Sequence, residues 1–259
     1  MPKLKKLAAL AVLLSMSCVA ADAWAADSDK RNDTRTNVTI YVWATSVEEE
    51  FPGGAKAKAS FSTIFDNLDF AFMGELVQRR GDWIYGVGAF YADISESGRS
   101  SFPIQNTAPN QPSSIDTATN FKTKTEIFNG FIGYRLVPIE KLDLYGTAGI
   151  RFTRFDTRLI VDAVGQSFRF QAKDDMTDAV AGLRGAYRLT PNWSFPFIAD
   201  VGTGDSDLTW QAFAGTTYSL GHHAFTLGYR HMYWDISGTS RYLDSVDYDG
   251  PLLGYTYRF

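Results

Sequence analysis

The sequence predicts an all-β protein: a closed antiparallel up-and-down transmembrane β-barrel of ten strands, with eight strands as the alternative. Apolar and polar residues alternate with period two along successive segments, as they do in strands whose two faces have different surroundings. After the N-terminal segment, no apolar run approaches the roughly 20 residues that a spanning helix requires. The chain is 15% aromatic and contains 22 glycines, which is typical of a membrane strand protein, because only every second residue contacts lipid.

The clearest alternation lies in the last segment, Tyr248 to Phe259, which reads YDGPLLGYTYRF. From residue 253 onward the odd-numbered positions are Leu, Tyr, Tyr and Phe, whereas the even-numbered positions are Gly, Thr and Arg. This terminal aromatic strand resembles the closing strand of Gram-negative outer-membrane barrels. The resemblance implies that the barrel-assembly machinery recognises Phe259.

The N-terminus has the features of a secretory signal peptide. Lysines within the first six residues precede an apolar run from Leu7 to Ala21, and Ala23-Trp24-Ala25 supplies a small-x-small cleavage site. Residues 1–25 are therefore predicted to be removed. The single cysteine, Cys18, lies in this segment, so the mature chain is expected to lack disulfides, thiol nucleophiles and thiolate metal sites.

The remaining chain is predicted to be one domain: a periplasmic lead-in at residues 26–36 and the barrel at residues 37–259. Its ten predicted strands are 37–47, 68–79, 82–94, 122–135, 141–155, 175–189, 192–201, 208–220, 223–236 and 247–259. Short and long connections between them alternate strictly, as expected for a barrel with short periplasmic turns and long outer loops. Residues 60–68 are expected to form an amphipathic turn at the rim, 101–120 a mobile loop, and 157–171 a hairpin above the membrane.

A second resemblance covers most of the mature chain. The stretch Asp66 to Ser95, together with YVWA at Tyr41 to Ala44 and the terminal YTYRF, resembles a recurring hairpin of small Gram-negative outer-membrane β-barrel proteins of the OmpA-like type. The resemblance implies an outer-membrane location, contact with membrane lipid and lipopolysaccharide, and a monomeric state. Its motifs specify the barrel and say little about activity.

Charged residues share the face opposite the aromatic one, and the barrel hypothesis turns this face inward. A lysine or arginine on the lipid face costs about 2–4 kcal/mol at the bilayer midplane. Opposite charges in a narrow interior are expected to pair, because an unpaired buried charge is costly. The predicted interior network is Glu75, Arg151, Asp178, Arg184, Asp200 and Arg230, with Asp143, Arg188 and Arg258 on the same face. The alternative to a packed network is a charged constriction in a narrow pore.

The alternation of odd- and even-numbered residues, which we name parity, does not show which face of the strand at 122–135 points inward. Two pairs of apolar residues, Phe128 with Ile132 and Ile127 with Phe131, compete there for the same face. The tryptophans of the mature chain lie near predicted strand ends, where girdles at the two bilayer interfaces are expected. They are Trp43, Trp83, Trp193, Trp210 and Trp234.

Few residues suggest chemistry. His231 with Asp235 is a candidate for a base and its orienting carboxylate, as used by barrel enzymes such as omptin proteases and lipid A deacylases. The alternative is an interfacial histidine in the aromatic belt around Tyr229, Tyr233 and Trp234. The histidine–serine and acidic pairs of those enzymes are not found, nor are GxSxG, HExxH, P-loop or EF-hand motifs. No cofactor or metal is predicted. The net charge is −4, and removal of the predicted signal peptide, with three lysines and one aspartate, makes it −6, which argues against nucleic acid as a partner.

The sequence therefore predicts a non-enzymatic outer-membrane barrel with a structural or surface-interaction role and a lumen largely filled by paired charges. A narrow porin-like channel for small solutes is the first alternative. A barrel enzyme acting on lipid A or peptides is the second.

Overall fold

The computed structural model describes residues 34–51, 54–66, 68–103, 114–163, 166–238, 240 and 243–259. The predicted signal peptide and most of the predicted lead-in lie outside these residues. The described residues form twelve strands and one short helix. In chain order these are β1 (Thr34–Trp43), β2 (Ser46–Phe51), β3 (Ala55–Ala59), α1 (Phe61–Asp66), β4 (Leu68–Arg80), β5 (Trp83–Pro103), β6 (Ser114–Ile139), β7 (Leu142–Ala163), β8 (Gln166–Arg188), β9 (Trp193–Gly204), β10 (Leu208–Leu220), β11 (His223–Asp235) and β12 (Ser245–Arg258).

Ten of these strands close into an antiparallel barrel, as predicted. The order is β1-β4-β5-β6-β7-β8-β9-β10-β11-β12, and β12 pairs with β1 to complete the ring. The first predicted strand, 37–47, is corrected at its end: β1 stops at Trp43, and β2 begins at Ser46 as a separate strand. No helix among the described residues is both long and apolar enough to cross a membrane.

The two ends of the barrel differ. The short connections at 81–82, 140–141, 189–192 and 221–222 all lie at one end, which we name the turn end. Gly81 and Gly221 adopt φ values of 59° and 58° there, a left-handed conformation that suits two-residue hairpin turns and favours glycine. The opposite end, which we name the hairpin end, carries the longer connections.

Two additions extend the hairpin end. The β2–β3 hairpin pairs with the first half of β12, beyond the last residue of β1. Helix α1 follows it and buries Ile64, as expected for the amphipathic turn predicted at residues 60–68.

The second addition, which we name the sheet extension, continues β5 to β8 past their neighbours. These strands have 21, 26, 22 and 23 residues, against 10–14 in the other barrel strands. The last pairing of β5 with β4 is at Ile94, so residues 95–103 run on for about 30 Å of strand. The predicted hairpin over 157–171 is part of this sheet. The predicted mobile loop is corrected: 101–103 and 114–120 are paired strand, and 104–113 lie outside the described residues.

Apolar side chains form a belt on the outside of the barrel, as the alternation predicts. Their exposure is high although they are hydrophobic, which is the surface expected of strands that face hydrocarbon. In β6, Phe128 is 47% exposed and Ile127 only 1%, so Phe128 and Ile132 face outward while Ile127 and Phe131 face inward. Belt residues include Val38, Ile40, Val42, Phe72, Leu76, Tyr85, Val87, Ile132, Ile150, Leu183, Phe195, Val201, Phe225, Leu227 and Leu253.

Candidate functional site in the barrel lumen

Strand β7 passes through three distinct layers of the lumen. At the turn end its inward residues Asp143, Tyr145 and Thr147 line a cavity. Arg151 follows in a layer of buried polar contacts, which we name the ion-pair layer. Phe155 comes last, in an apolar cluster at the hairpin end. The lumen is therefore polar in its turn-end half and apolar in its hairpin-end half.

Arg151 is the centre of the ion-pair layer. Its side chain is 0% exposed, and its Nη2 donates to Asp200 Oδ1 at 2.6 Å. Its Nη1 donates to Thr209 Oγ1 at 2.8 Å and its Nε to Asn129 Oδ1 at 3.1 Å. All three nitrogens of the guanidinium group therefore have acceptors from three different strands, which cross-links the barrel wall through its interior.

The network continues from Asp200 to Arg230. Gln211 donates its amide to Asp200 and accepts at Oε1 from Arg230 Nη2 at 2.7 Å. Arg230 Nη1 donates to the Tyr41 hydroxyl at 3.1 Å. The uncharged Gln211 is thus the link between two charged residues that parity placed in the interior, and sequence patterning had not singled it out.

The other predicted interior residues differ in their contacts: Arg184 and Glu75 form an ion pair, whereas Asp178 accepts a backbone hydrogen bond. Arg184 Nη1 pairs with Glu75 Oε1 at 2.7 Å, and its guanidinium lies 4.1 Å from the ring centre of Phe131. Asp178 is the cross-strand neighbour of Arg151, but its Oδ1 accepts the backbone amide of Ser206 at 2.9 Å. Asp178 forms no ion pair within the described part of the chain.

Asp143 is shared by three arginines at the turn end. Arg135 lies 3.2 Å from it, Arg79 3.3 Å and Arg188 3.9 Å. Arg135 also donates to the Tyr145 hydroxyl at 3.0 Å. The role of Arg135 was hidden in the sequence because parity did not assign its strand.

The apolar cluster fills the lumen at the hairpin end. Aromatic rings meet edge to face: Trp43 and Phe90 at 5.8 Å between centroids, and Phe155 and Trp234 at 5.7 Å. Trp234 also contacts Tyr248 at 5.9 Å. The cluster is completed by Ala92, Ile127, Met176, Met232, Ile236, Leu243, Val246 and Leu252.

The prediction that the tryptophans lie in girdles at the bilayer interfaces is wrong for two tryptophans of this cluster. Trp43 is 2% exposed and Trp234 0%, so both face the lumen. Trp83 and Trp193 lie on the outside near the turn end, where a girdle is expected. The alternation along β11 could have identified Trp234 as an interior residue, because it lies on the same face as Arg230.

The cavity at the turn end has a volume of about 720 Å³. It extends from the ion-pair layer to the turn at residues 190–192. Among the described residues, six arginines and three carboxylates line it, and the carboxylates are Glu75, Asp143 and Asp200. The arginines are Arg35, Arg79, Arg184, Arg188, Arg230 and Arg258.

The candidate pairing of His231 with Asp235 does not form, and His231 lies against an aromatic ring on the outer face, as in the alternative interpretation. His231 Nε2 lies 2.9 Å from Asp247 Oδ2, and its ring stacks on Trp210 at 4.5 Å between centroids. Asp235 instead accepts the hydroxyl of Ser237 at 2.9 Å. His231 has the outward parity of Tyr229, away from the lumen. No group of three or more potential metal ligands occurs among the described residues.

The acidic side chain of Glu49 is half-buried at the hairpin end. Glu49 of β2 lies opposite the fully buried Val246 of β12. Burial raises the pKa of the Glu49 carboxyl. On the other face of the same hairpin, the hydrogen bond from Lys56 lowers the pKa of Glu48.

No protein-family model and no curated protein sequence matches the chain. Solved structures do. The outer membrane protease OmpT from Escherichia coli is 10% identical over 90% of this chain and 99% of its own, with a TM-score of 0.52. The translocator domain of autotransporter NalP from Neisseria meningitidis is 13% identical, with 99% and 95% covered and a TM-score of 0.42. Ail of Yersinia pestis is 16% identical, with 88% and 99% covered and a TM-score of 0.31.

At these identities the likeness shows the fold alone. The structural neighbours are outer-membrane barrels of Gram-negative bacteria. The chain shares with them a closed antiparallel β-barrel, which here has ten strands.

Proposed function

We propose that the chain is a non-enzymatic barrel of the outer membrane, with a structural or surface-contact role, and that its lumen does not conduct. The observation that carries the proposal is the sealed interior. The apolar cluster and the ion-pair layer are stacked along the same lumen, and each is made of side chains with little or no exposure. An ion crossing the barrel would have to leave water and pass between Trp43, Phe155 and Trp234, which is costly.

The outer surface supports the membrane part of the proposal. The apolar belt surrounds the barrel between the turns and the charged outer residues Asp93, Lys122 and Lys124. In this orientation the turn end faces the periplasm and the sheet extension faces outward. Membrane lipid and lipopolysaccharide contact the belt, the barrel-assembly machinery binds the strand that carries Phe259, and the protein functions as a monomer.

The sheet extension is the part best suited to surface contact. Beyond Ile94 and Thr177, its two outer strands have no barrel neighbour among the described residues. Their backbone groups are therefore available at the edges of a sheet, where another extended segment can pair.

Planar-bilayer recording of the refolded protein tests the sealed lumen. Heat-modifiable gel migration first establishes that the barrel has folded. We expect no discrete conductance steps from the native sequence. We expect steps from a variant in which Phe155→Ala and Trp234→Ala open the apolar cluster and Arg151→Ala opens the ion-pair layer. Steps in the native protein that change with Arg151→Gln would favour the narrow channel. Hydrolysis of lipid A or peptides that is lost with His231→Ala would favour the enzyme.

A further inference from the structure

The turn-end cavity has more positive charge than its carboxylates balance. Asp143 already serves two of the cavity arginines, Arg79 and Arg188, and also Arg135 outside the lining. Glu75 is engaged by Arg184. The third carboxylate, Asp200, is bound by Arg151, which lies above the cavity. Each of the three carboxylates therefore already pairs with an arginine, and the described residues of the lining carry a net positive charge.

The pairing of the strands concentrates that excess at the mouth of the cavity. Arg35 and Arg79 are direct cross-strand partners, and both line the cavity. Arg258 lies opposite Asn37, which is two residues from Arg35. Like charges directly opposite one another destabilise a sheet. Arg35 has a partner of its own, and Arg79 pairs with the shared Asp143. Arg258 is therefore the member of this arginine cluster whose charge a negatively charged ligand would balance.

One further detail indicates a charge that the protein does not balance. The side chain of Arg258, which lines the cavity, forms no ion pair within the described part of the chain. An arginine guanidinium presents a planar set of donors that matches carboxylate and phosphate oxygens in bidentate fashion.

We propose that this cavity binds a small polyanion, a phosphate-bearing or polycarboxylate molecule that enters from the turn end. A volume of about 720 Å³ lies within the range of about 300–1,000 Å³ typical of small-molecule sites. Hydroxyl and amide groups of Asn37, Thr39 and Thr256 line the same wall and add neutral donors. The site is independent of conduction, because the layers that seal the lumen lie beyond it.

Isothermal titration tests the site, with pyrophosphate and citrate as probes and the refolded protein in an uncharged sugar-based detergent. The double variant Arg79→Gln/Arg258→Gln removes two cavity arginines. The control Arg154→Gln/Arg158→Gln also removes two arginines. Both lie on β7 and neither lines the cavity. We expect one saturable site, a dissociation constant weakened about tenfold or more for each lost charge-assisted contact, and near-native binding in the control.

Absence of saturable binding to the native protein would overturn the proposal. So would an equal loss in both double variants, which would indicate general charge attraction. Heat-modifiable migration checks that each variant folds. Should the double variant fail this check, Arg258→Gln alone replaces it. Neither result affects the conductance experiment. Absence of anion binding would therefore leave the proposal of a sealed lumen unchanged.

Discussion

Replacing Arg151 by methionine is the perturbation from which most can be learned about the lumen. Methionine has an unbranched apolar side chain of similar reach, so the strand keeps its shape while the guanidinium is lost. The substitution removes the partner of Asp200 and the donors to Thr209 and Asn129. Asp200 keeps the amide of Gln211 but loses its opposite charge.

The expected cost follows from the burial of the pair. Removing one partner of a buried ion pair costs about 3–5 kcal/mol, because the other charge stays buried without compensation. Asp200 borders the turn-end cavity, and its side chain is 10% exposed. Because water in the cavity can reach that carboxylate, we expect a loss near the lower limit, about 3 kcal/mol.

The measurement is urea unfolding of the protein refolded into liposomes, followed by tryptophan fluorescence and heat-modifiable migration. The matched control is Arg154→Met, three residues further along the same strand. Arg154 pairs with Asp175 and Glu126 on the outer face, where the side chains are 25–40% exposed, so its loss should cost about 0–1 kcal/mol. The double variant Arg151→Met/Asp200→Asn should recover most of the stability. Equal losses for Arg151→Met and Arg154→Met would refute the reasoning.

Three further predictions concern other parts of the barrel. Burial raises the pKa of Glu49 above 4.5. The amide protection factors of the β2–β3 hairpin should therefore be highest below that pH and fall as pH rises through the folded-state pKa. Glu49→Gln should abolish this trend. Gly182→Ala should destabilise by about 1–3 kcal/mol, because its Cβ would overlap a carbonyl oxygen of β9, whereas Gly88→Ala meets nothing closer than 3.7 Å and should unfold at the native urea midpoint. Leu227→Arg, at a position 63% exposed near the middle of the belt, should lower stability in liposomes by about 2–4 kcal/mol, against about 0–1 for Leu220→Arg beside a turn. Equal effects of the two leucine substitutions would contradict the membrane assignment of the belt.

The alternation of residue types was sufficient to predict the barrel and most of its faces. In β7, parity placed Asp143 and Arg151 inside and Ile150 outside, and the structure agrees. This works because the two faces of a strand meet different surroundings, so each residue carries the information locally. It fails where both surroundings are apolar. The register of β6 was undecidable because Ile127 faces the apolar cluster while Phe128 faces outward.

The details of the interior depend on contacts that the alternation does not contain. The sequence indicated that Arg151 and Asp178 share the lumen, but Arg151 pairs with Asp200, two strands away. The partner of a long side chain in a barrel depends on the stagger of the strands around the ring, which is a property of the whole closed sheet. His231 meets Asp247 of the next strand, because Asp235 is four residues further along its own strand, roughly 13 Å away.

The central claim is that the lumen opens only at the turn end, and thiol labelling in cells tests it most directly. Two variants carry single cysteines: Thr256→Cys in the cavity lining and Ser237→Cys on the exposed hairpin end. The reagent is a maleimide attached to a polymer too large for general porins. We predict that intact cells label only the Ser237→Cys protein, and that the Thr256→Cys protein reacts once the outer membrane is permeabilised. Equal labelling of both variants in intact cells would contradict the account.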